Sequence, residues 1–185
     1  MDNAAPTPSA PPDLSPGPSM LAKRRIEAEI LGHVYEVLKA SQGQAAAMLV
    51  IGDAVRRTSV AQARQFAAAA EGGSSLQSFI ALSGLWQAED ALQIEVREQT
   101  GQTYAFDVLR CRYAEMYRAM GLGEIGHLLS CQRDGSFSEG YDPKLKFTRS
   151  QTIMQGASHC DFRYRYVADE AGLPAATSPP PKPPA

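Results

Sequence analysis

The sequence predicts an α+β domain in which N-terminal helices pack on a mostly antiparallel sheet of about four strands. Two observations support this prediction. Apolar residues recur with a helical period in the first half of the chain, and the period changes to two from residue 92 onward. Helices that are followed by hairpin-type strands are typical of α+β domains. With 185 residues, 44% of them hydrophobic, the chain has enough apolar material for one domain with a core.

Proline-rich segments mark the limits of this domain. Six of the thirteen prolines lie in residues 6–18, six lie in residues 174–184, and only Pro143 lies between the two groups. Proline has no backbone N–H and cannot donate a hydrogen bond within a helix or a sheet. These segments also lack the large apolar residues whose burial would offset the entropy cost of ordering them. We therefore expect disordered tails at 1–20 and 171–185 and a folded domain at 21–170.

The first half of the chain is predicted to form four helices. The first, at 23–39, carries an apolar residue at every fourth position, which is typical of an amphipathic helix. The residues of this stripe are Ile26, Ile30, Val34 and Leu38. The second helix is expected at 44–57. Ser59, with a glutamine three residues later, has the pattern of a capping box, so a third helix is expected to begin there. The fourth is expected at 75–87.

The second half is predicted to contain the strands. Residues 92–108 alternate between apolar and polar side chains on both sides of a glycine, which indicates a hairpin. Two further strands are expected at 146–154 and 161–167. A helix at 113–120, ended by glycines, and a short helix that carries His127 are expected between the hairpin and the later strands.

The composition argues against several functional classes. Eighteen Lys and Arg against twenty Asp and Glu give a formal charge of −2, so nucleic acid is not an expected partner. The longest apolar stretch, Ala45 to Ile51, is far shorter than the roughly 20 residues that a membrane-spanning helix needs. No secretory signal pattern opens the chain. The odd number of cysteines favours free thiols, so we expect a cytoplasmic protein.

The residues whose side chains could take part in a reaction lie after position 110. Cys111 comes where a predicted strand meets a predicted helix, and a helix N-terminus can lower the pKa of a thiol. The alternative is that Cys111 is a small buried hydrophobic residue. Cys131 and Asp134 lie in the aperiodic segment 130–143, which we interpret as a loop. A carboxylate near a thiol can accept or hold a proton, although Asp before Gly is also a turn signal.

A second cluster of reactive residues precedes the last predicted strand, where His159, Cys160 and Asp161 are consecutive. Adjacent strand residues point to opposite faces, so either Cys160 or the pair His159 and Asp161 faces any one pocket. His127 lies four residues before Cys131, one turn away if the short helix continues.

Several classes of site lack their sequence signals. The three cysteines, His159 and Asp134 are suitable zinc ligands, but no closely spaced Cys or His pair is present, so we expect no metal. The serine-hydrolase elbow and the nucleotide P-loop are missing, and we expect no cofactor. Asn3 is the only asparagine, which excludes a Cys-His-Asn triad in the domain.

The second half as a whole resembles the L-2-amino-thiazoline-4-carboxylic acid hydrolase family. The resemblance covers residues 111–164. The features that carry it are Cys111 before a helix, the pair Cys131 and Asp134, a strand at 148–155 followed by Gly156, and the sequence Cys160, Asp161, Phe162. The ending at 156–162 is also similar to that of the 4-vinyl reductase type of small-molecule-binding domain.

The resemblance implies a hydrolase of the carbon–nitrogen bonds of cyclic amidines, which opens a thiazoline carboxylate to a carbamoyl-cysteine. A thiolate would attack the amidine carbon, a carboxylate would handle the proton, and water would release the product. The candidate catalytic residues are Cys111, Cys131, Asp134, Cys160 and Asp161, with His127 and His159 as alternative bases. Arg149 and Arg163 are candidates for binding the substrate carboxylate, because a guanidinium suits a bidentate contact. The alternative is that both arginines are solvated charges on the outer face of the strands and bind no substrate.

The expected partner is therefore a small-molecule substrate, with neither nucleic acid nor a membrane involved. The alternative is a non-catalytic small-molecule-binding or interaction module of 4-vinyl-reductase-like fold. In that alternative the three cysteines are structural. Cysteines and a carboxylate that converge on one cleft would favour the hydrolase, and thiols buried apart from one another would favour the binding module.

Overall fold

A computed structural model describes residues 17–167. Most of the predicted tail at 1–20 and all of the tail at 171–185 lie outside the described residues. The α+β class is confirmed, because helices dominate the first half and four strands form one antiparallel sheet. No helix within 17–167 combines the length and the hydropathy needed to cross a membrane.

Five α-helices and four strands form the domain. They are α1 (Met20–Gln42), α2 (Gln44–Ala69), α3 (Leu76–Gln87), β1 (Leu92–Gln99), β2 (Thr103–Cys111), α4 (Arg112–Ala119), α5 (Gln132–Tyr141), β3 (Leu145–Thr148) and β4 (Cys160–Tyr166). A π-helical turn at His127–Cys131 runs directly into α5, and a short 3₁₀ turn at Ile153–Gln155 follows β3.

The sheet has the strand order β1-β2-β4-β3, and each neighbouring pair is antiparallel. Its register places Phe106 opposite Phe162 and Tyr104 opposite Tyr164. The Phe106 and Phe162 rings stack with centroids 4.9 Å apart. Because side chains alternate along a strand, one face of the sheet is aromatic, and α3 and α5 cover it.

The opposite face of the sheet carries paired charges. Asp107 accepts from Arg97 at 2.7 Å and from Arg163 at 2.9 Å. Although burial opposes it, the hydrogen bond from Arg97, with that from Arg163, holds the pKa of Asp107 below its ordinary value. Ion pairs of Asp107 with two arginines therefore cover this part of the face.

The helix α1 is confirmed, but most of its predicted apolar stripe does not face the core, and only Leu38 of the stripe packs against it. Ile26 and Ile30 are 55% and 65% exposed. The buried face of α1 is formed by Met20, Arg24, Ala28, Gly32 and Tyr35. The small side chains of Ala28 and Gly32 on this face allow neighbouring elements to pack closely. The spacing of the large apolar residues therefore indicated the wrong face of the helix as the buried one.

Two of the predicted helices are one. The helix α2 is continuous from Gln44 to Ala69, so the capping box predicted at Ser59 is wrong. Ser59 is buried in the middle of the helix, and its hydroxyl donates to the carbonyl of Arg133 at 3.0 Å. Because the Ser59 hydroxyl is hydrogen-bonded to another helix, it does not cap a new helix, and α2 continues through this position. The capping box of the region lies at Ser75, at the start of α3.

The segment 130–143 was predicted as a loop and is mostly helical. Phe137 and Tyr141, four residues apart, form a buried stripe on α5, and the hydroxyl of Ser138 donates to the carbonyl of Asp134 at 2.8 Å. These contacts offset the poor helix propensity of serine and glycine. The strand predicted at 146–154 is also too long, because β3 ends at Thr148 and the chain turns at Ile153–Gln155.

Candidate functional site

A cavity of about 110 Å³ lies between the aromatic face of the sheet and the helices. Tyr104, Phe106 and Phe162 line it from the strands, and Trp86 and Phe137 line it from α3 and α5. An engineered apolar cavity of about 150 Å³ holds one benzene ring, so this volume is on the scale of a single small ring. The walls suit a flat, mostly apolar ligand.

All three cysteines line this cavity. Cys111 ends β2, Cys131 ends the π-helical turn, and Cys160 begins β4, so three separate elements bring the thiols together. All three are free thiols, as the sequence predicts. Cys111 interacts electrostatically with Cys160 and with Asp134, so these groups share one electrostatic environment.

The thiols are not activated. Burial raises the pKa of Cys111 to about 11 and that of Cys131 to about 12, and burial also raises the pKa of Cys160. Backbone N–H groups at the start of α4 lower the pKa of Cys111, as the sequence suggests, but the desolvation of the thiolate is the larger effect. Burial therefore opposes thiolate formation at all three cysteines.

Asp134 and Arg149 form an ion pair at the cavity wall, with Arg149 Nη1 2.5 Å from Asp134 Oδ2. Arg149 Nη2 donates to the carbonyl of Cys131 at 2.9 Å. The guanidinium also lies over the Phe147 and Phe162 rings, 5.3 and 5.0 Å from their centroids. Burial raises the pKa of Asp134 even though Arg149 lowers it. A carboxyl group in an apolar pocket with a raised pKa is suited to general acid–base catalysis.

A second pair of arginines also lines the cavity, and the sequence analysis did not find it. Arg24 and Arg133 are 5% and 7% exposed. Glu27 bridges them, because each arginine donates to its carboxylate at 2.7 Å. Within residues 17–167 the Nη1 atom of Arg133 has no hydrogen-bond partner. The sequence signal that could have found it is Arg24, which lies four residues before Ala28 and so on the same face of α1 as Ala28 and Gly32.

Asp161 lies away from the cavity. Its carboxylate accepts from the backbone N–H groups of Ser150 and Gln151, at 3.0 and 2.9 Å, and from the Ser150 hydroxyl at 2.7 Å. Burial raises the pKa of Asp161, but these hydrogen bonds outweigh burial and lower the pKa to about 2. Cys160 points into the cavity, so the structure separates the two residues that the family pattern pairs.

Three other candidates are also outside the cavity lining. The ring of His159 is within 3.1 Å of the Gln151 side-chain amide and 3.0 Å from the Ser158 hydroxyl. Arg163 pairs with Asp107 on the outer face of the sheet, as the alternation along β4 predicts. His127 begins the π-helical turn and does not line the cavity. The structure therefore brings together Cys111, Cys131, Cys160, Asp134 and Arg149.

No cluster of three potential metal ligands occurs among the residues that the structure describes. Residues 121–126 have the glycine spacing of a dinucleotide-binding loop. They follow the helix α4 and lead to a π-helical turn, whereas that loop connects a strand to a helix. The glycine spacing therefore gives no support for a nucleotide site.

A comparison with family models gives one match over most of the domain. The model described as L-2-amino-thiazoline-4-carboxylic acid hydrolase matches residues 23–164. No curated protein matches the chain. Among solved structures, the crystal structure of the phenol-responsive sensory domain of the transcription activator PoxR with phenol is 11% identical. It aligns with a TM-score of 0.49 over 75% of this chain and 73% of that chain.

Proposed function

The chain belongs to the L-2-amino-thiazoline-4-carboxylic acid hydrolase family, and from this premise we propose that it opens a small cyclic amidine in the cavity. One observation carries the proposal. Three thiols and the Asp134–Arg149 pair, supplied by separate elements, converge on one ring-sized space with aromatic walls. The family's description names a thiazoline carboxylate, which is a single five-membered ring of suitable size.

We assign the general base to Asp134. In this scheme the carboxylate takes one proton from water while the water oxygen bonds to the amidine carbon, and the electron pair of the carbon–nitrogen double bond moves to that nitrogen, which receives the proton from Asp134. The tetrahedral carbon then expels the ring sulfur or the ring nitrogen as its hydroxyl becomes a carbonyl, and the hydroxyl proton passes through Asp134 to the leaving atom. The sum is the addition of one water. Arg149 holds the carboxylate in place through its short ion pair.

The cysteines take a different role in this scheme from the one the family pattern suggests. A covalent route needs a thiolate, and burial opposes thiolate formation at Cys111, Cys131 and Cys160. We therefore favour activated water and assign the thiols to the walls that fit the ring. Their free, reduced state suits a reducing compartment, so a cytoplasmic location remains part of the proposal.

The test is the incubation of the protein with 2-amino-thiazoline-4-carboxylate and other cyclic amidines, followed by mass spectrometry. The expected result is a gain of one water. A released thiol identifies cleavage of the carbon–sulfur bond, and a released amine identifies cleavage of the carbon–nitrogen bond. Asp134→Asn should lower kcat/KM by about 10²- to 10⁴-fold. Asp161→Asn is the matched control, because Asp161 lies outside the cavity.

The cysteines are tested separately by single Cys-to-Ser variants at positions 111, 131 and 160. Activated water predicts that each variant keeps turnover within about tenfold of the wild-type protein, since loss of a catalytic nucleophile costs far more. A much larger loss in one variant, with a covalent adduct on that residue in the wild-type protein, would replace the water route by the covalent one. Absence of turnover with every ring would end the hydrolase proposal.

The second candidate function is small-molecule binding without catalysis. The observation that favours it is the burial of all three thiols, which opposes thiolate formation, within a mostly apolar lining. Binding of a ring ligand, measured by the fluorescence of Trp86 at the cavity wall, without any conversion of that ligand would support this function over the hydrolase.

A further inference from the structure

We propose that Arg24 and Arg133, called here the arginine pair, form an anion-binding site within the cavity that receives the carboxylate of a ring ligand. The inference rests on the proposed function, because it names the part of the substrate that this wall recognises. The family resemblance directed attention to Arg149 and Arg163 for this contact. The contacts of the four arginines favour the arginine pair instead.

Arg133 has unused hydrogen-bonding capacity inside the protein. Its Nε donates to the carbonyl of Leu129 at 2.8 Å, and its Nη2 donates to Glu27 at 2.7 Å. Its Nη1 has no partner among residues 17–167, although the side chain is only 8% exposed. Buried guanidinium groups are normally satisfied, because an unpaired buried donor is costly. Arg133 lines the cavity, so a small shift of its guanidinium group would bring this covered donor within reach of a ligand oxygen.

The charges around the arginine pair do not balance. Two guanidinium groups share the single carboxylate of Glu27, and the other partner of Arg24 is the neutral amide of Gln62 at 3.0 Å. Burial and the neighbouring Arg24 lower the pKa of Arg133 to about 10, so Arg133 remains charged at neutral pH. Asp134 also interacts electrostatically with Arg24 and Arg133 as well as with Arg149, so three arginines face the two carboxylates of Glu27 and Asp134. The cavity therefore holds an excess positive charge, which an anionic ligand neutralises.

Arg149 is less available to a ligand. One of its amino groups is bound to Asp134 and the other donates to the Cys131 carbonyl. Its positive charge is balanced by Asp134, and two aromatic rings cover its planar face. A second carboxylate at Arg149 would meet the negative charge of Asp134. Both amino groups of Arg149 thus already have acceptors, whereas Arg133 keeps a donor without a partner among residues 17–167.

The ligand class that follows is a single small ring that carries a carboxylate. The aromatic lining accepts the ring, and the arginine pair accepts the carboxylate through charge-assisted hydrogen bonds. The same ring with a carboxamide keeps the shape and loses the charge. Carboxylate and carboxamide pairs therefore separate recognition of the anion from recognition of the ring.

The experiment measures the affinity of two such pairs, 2-amino-thiazoline-4-carboxylate with its carboxamide and benzoate with benzamide. Binding is followed by Trp86 fluorescence and by calorimetry. The wild-type protein is expected to bind each carboxylate about 10- to 100-fold more tightly than its carboxamide, the range for charge-assisted hydrogen bonds. Arg133→Gln should reduce this ratio to about threefold or less. Arg163→Gln, on the outer face of the sheet, is the matched control and should leave the ratio in place.

Further variants keep the test decisive if Arg133→Gln does not fold. Arg133→Lys retains the charge and should retain most of the preference for carboxylates. Arg24→Gln should weaken the preference. Glu27→Gln removes the compensating carboxylate and should strengthen it, an effect that a purely structural role of Arg133 would not produce.

The proposal is overturned if the wild-type protein binds each carboxylate and its carboxamide equally. It is also overturned if Arg149→Gln removes the preference while Arg133→Gln keeps it, or if no ring ligand binds. Carboxylate binding that depends on Arg133, with no ring opened, would establish the anion site and reject the hydrolase proposal. Ring opening that is indifferent to Arg133 would do the reverse.

Discussion

At the scale of single residues, Cys160 and Asp161 are neighbours in the chain but take opposite sides of the sheet. Cys160 lines the cavity, whereas Asp161 is held by the backbone of Ser150 and Gln151. The alternation along a strand predicts this separation from sequence alone. The hydrogen bonds of Asp161 hold the segment at Ser150 and Gln151 against the start of β4.

This structural role gives a prediction for acid stability. The pKa of Asp161 is about 2 in the folded protein and near 3.8 in the unfolded chain. The carboxylate therefore stabilises the fold above about pH 4, and this contribution is lost as the pH falls to about 2. Asp161→Asn should lower the free energy of unfolding by about 1 kcal/mol at pH 7, an estimate reduced for solvent screening.

The measurement is urea denaturation of the wild-type protein and Asp161→Asn at several pH values between 7 and 2. The difference between their free energies of unfolding should be constant above about pH 5 and should shrink toward zero at about pH 2. A difference that persists unchanged at the lowest pH would mean that the Asp161 carboxylate charge is not the stabilising feature.

The residues of the candidate site were only partly predictable. The cysteines and Asp134 could be found because they belong to the pattern by which the second half resembles the hydrolase family. Arg133 could not be found, because it depends on a helix in a segment whose serines and glycines are typical of a loop. The pairing of Arg149 with Asp134 joins residues 15 positions apart and depends on how α5 packs on β3.

At the scale of elements, the contact between α2 and α5 fixes one wall of the cavity. Gly140 on α5 lies so close to α2 that a Cβ atom at this position would be 2.7 Å from the Val60 carbonyl oxygen and 2.9 Å from the Val60 Cα. Both neighbours are backbone atoms, so they cannot move aside without a shift of the whole helix. Glycine is required here for close packing and not for an unusual backbone angle.

We therefore expect Gly140→Ala to lower the free energy of unfolding by about 1–3 kcal/mol, the range for overpacking in a core. The matched control is Gly84→Ala in α3, where a Cβ atom would meet nothing within 4 Å. This control should raise the stability by about 0.5–1 kcal/mol, because alanine is the better helix former. Urea denaturation of both variants is the measurement. Equal stability of Gly140→Ala and the wild-type protein would contradict the close approach of the two helices.

The elements themselves were largely predictable where one period dominated the sequence. The hairpin, α3 and α4 are at their predicted places, because alternation and capping act locally. The errors at Ser59 and in segment 130–143 have one common cause. In both cases a residue with poor helix propensity is bonded or packed against another element, and tertiary contacts override local preference.

At the scale of the whole molecule, the cavity lies where two apolar clusters meet. One cluster joins α1, α2 and α4 and includes Tyr35, Ile51 and Tyr117, and the other joins the aromatic face of the sheet with α3 and α5. Cys111 and Leu92 line the cavity and pack against both clusters. A ligand in the cavity therefore contacts parts of the molecule that otherwise have separate cores.

This arrangement predicts that a ring carboxylate stabilises both clusters together. Benzoate, which has no amidine to hydrolyse, should stabilise the fold by about 2.7 kcal/mol when present at about 100 times its Kd. For a domain of this size that corresponds to a rise in Tm of about 5–10 °C.

Two spectroscopic signals follow the two clusters separately. Trp86, the single tryptophan, packs against Phe137 in the second cluster and reports the unfolding of that cluster by fluorescence. Circular dichroism reports mostly the helices, which dominate the first cluster. Both signals should give one transition with the same ligand-dependent shift, whereas a shift confined to the Trp86 signal would show that the cavity belongs energetically to the sheet side alone.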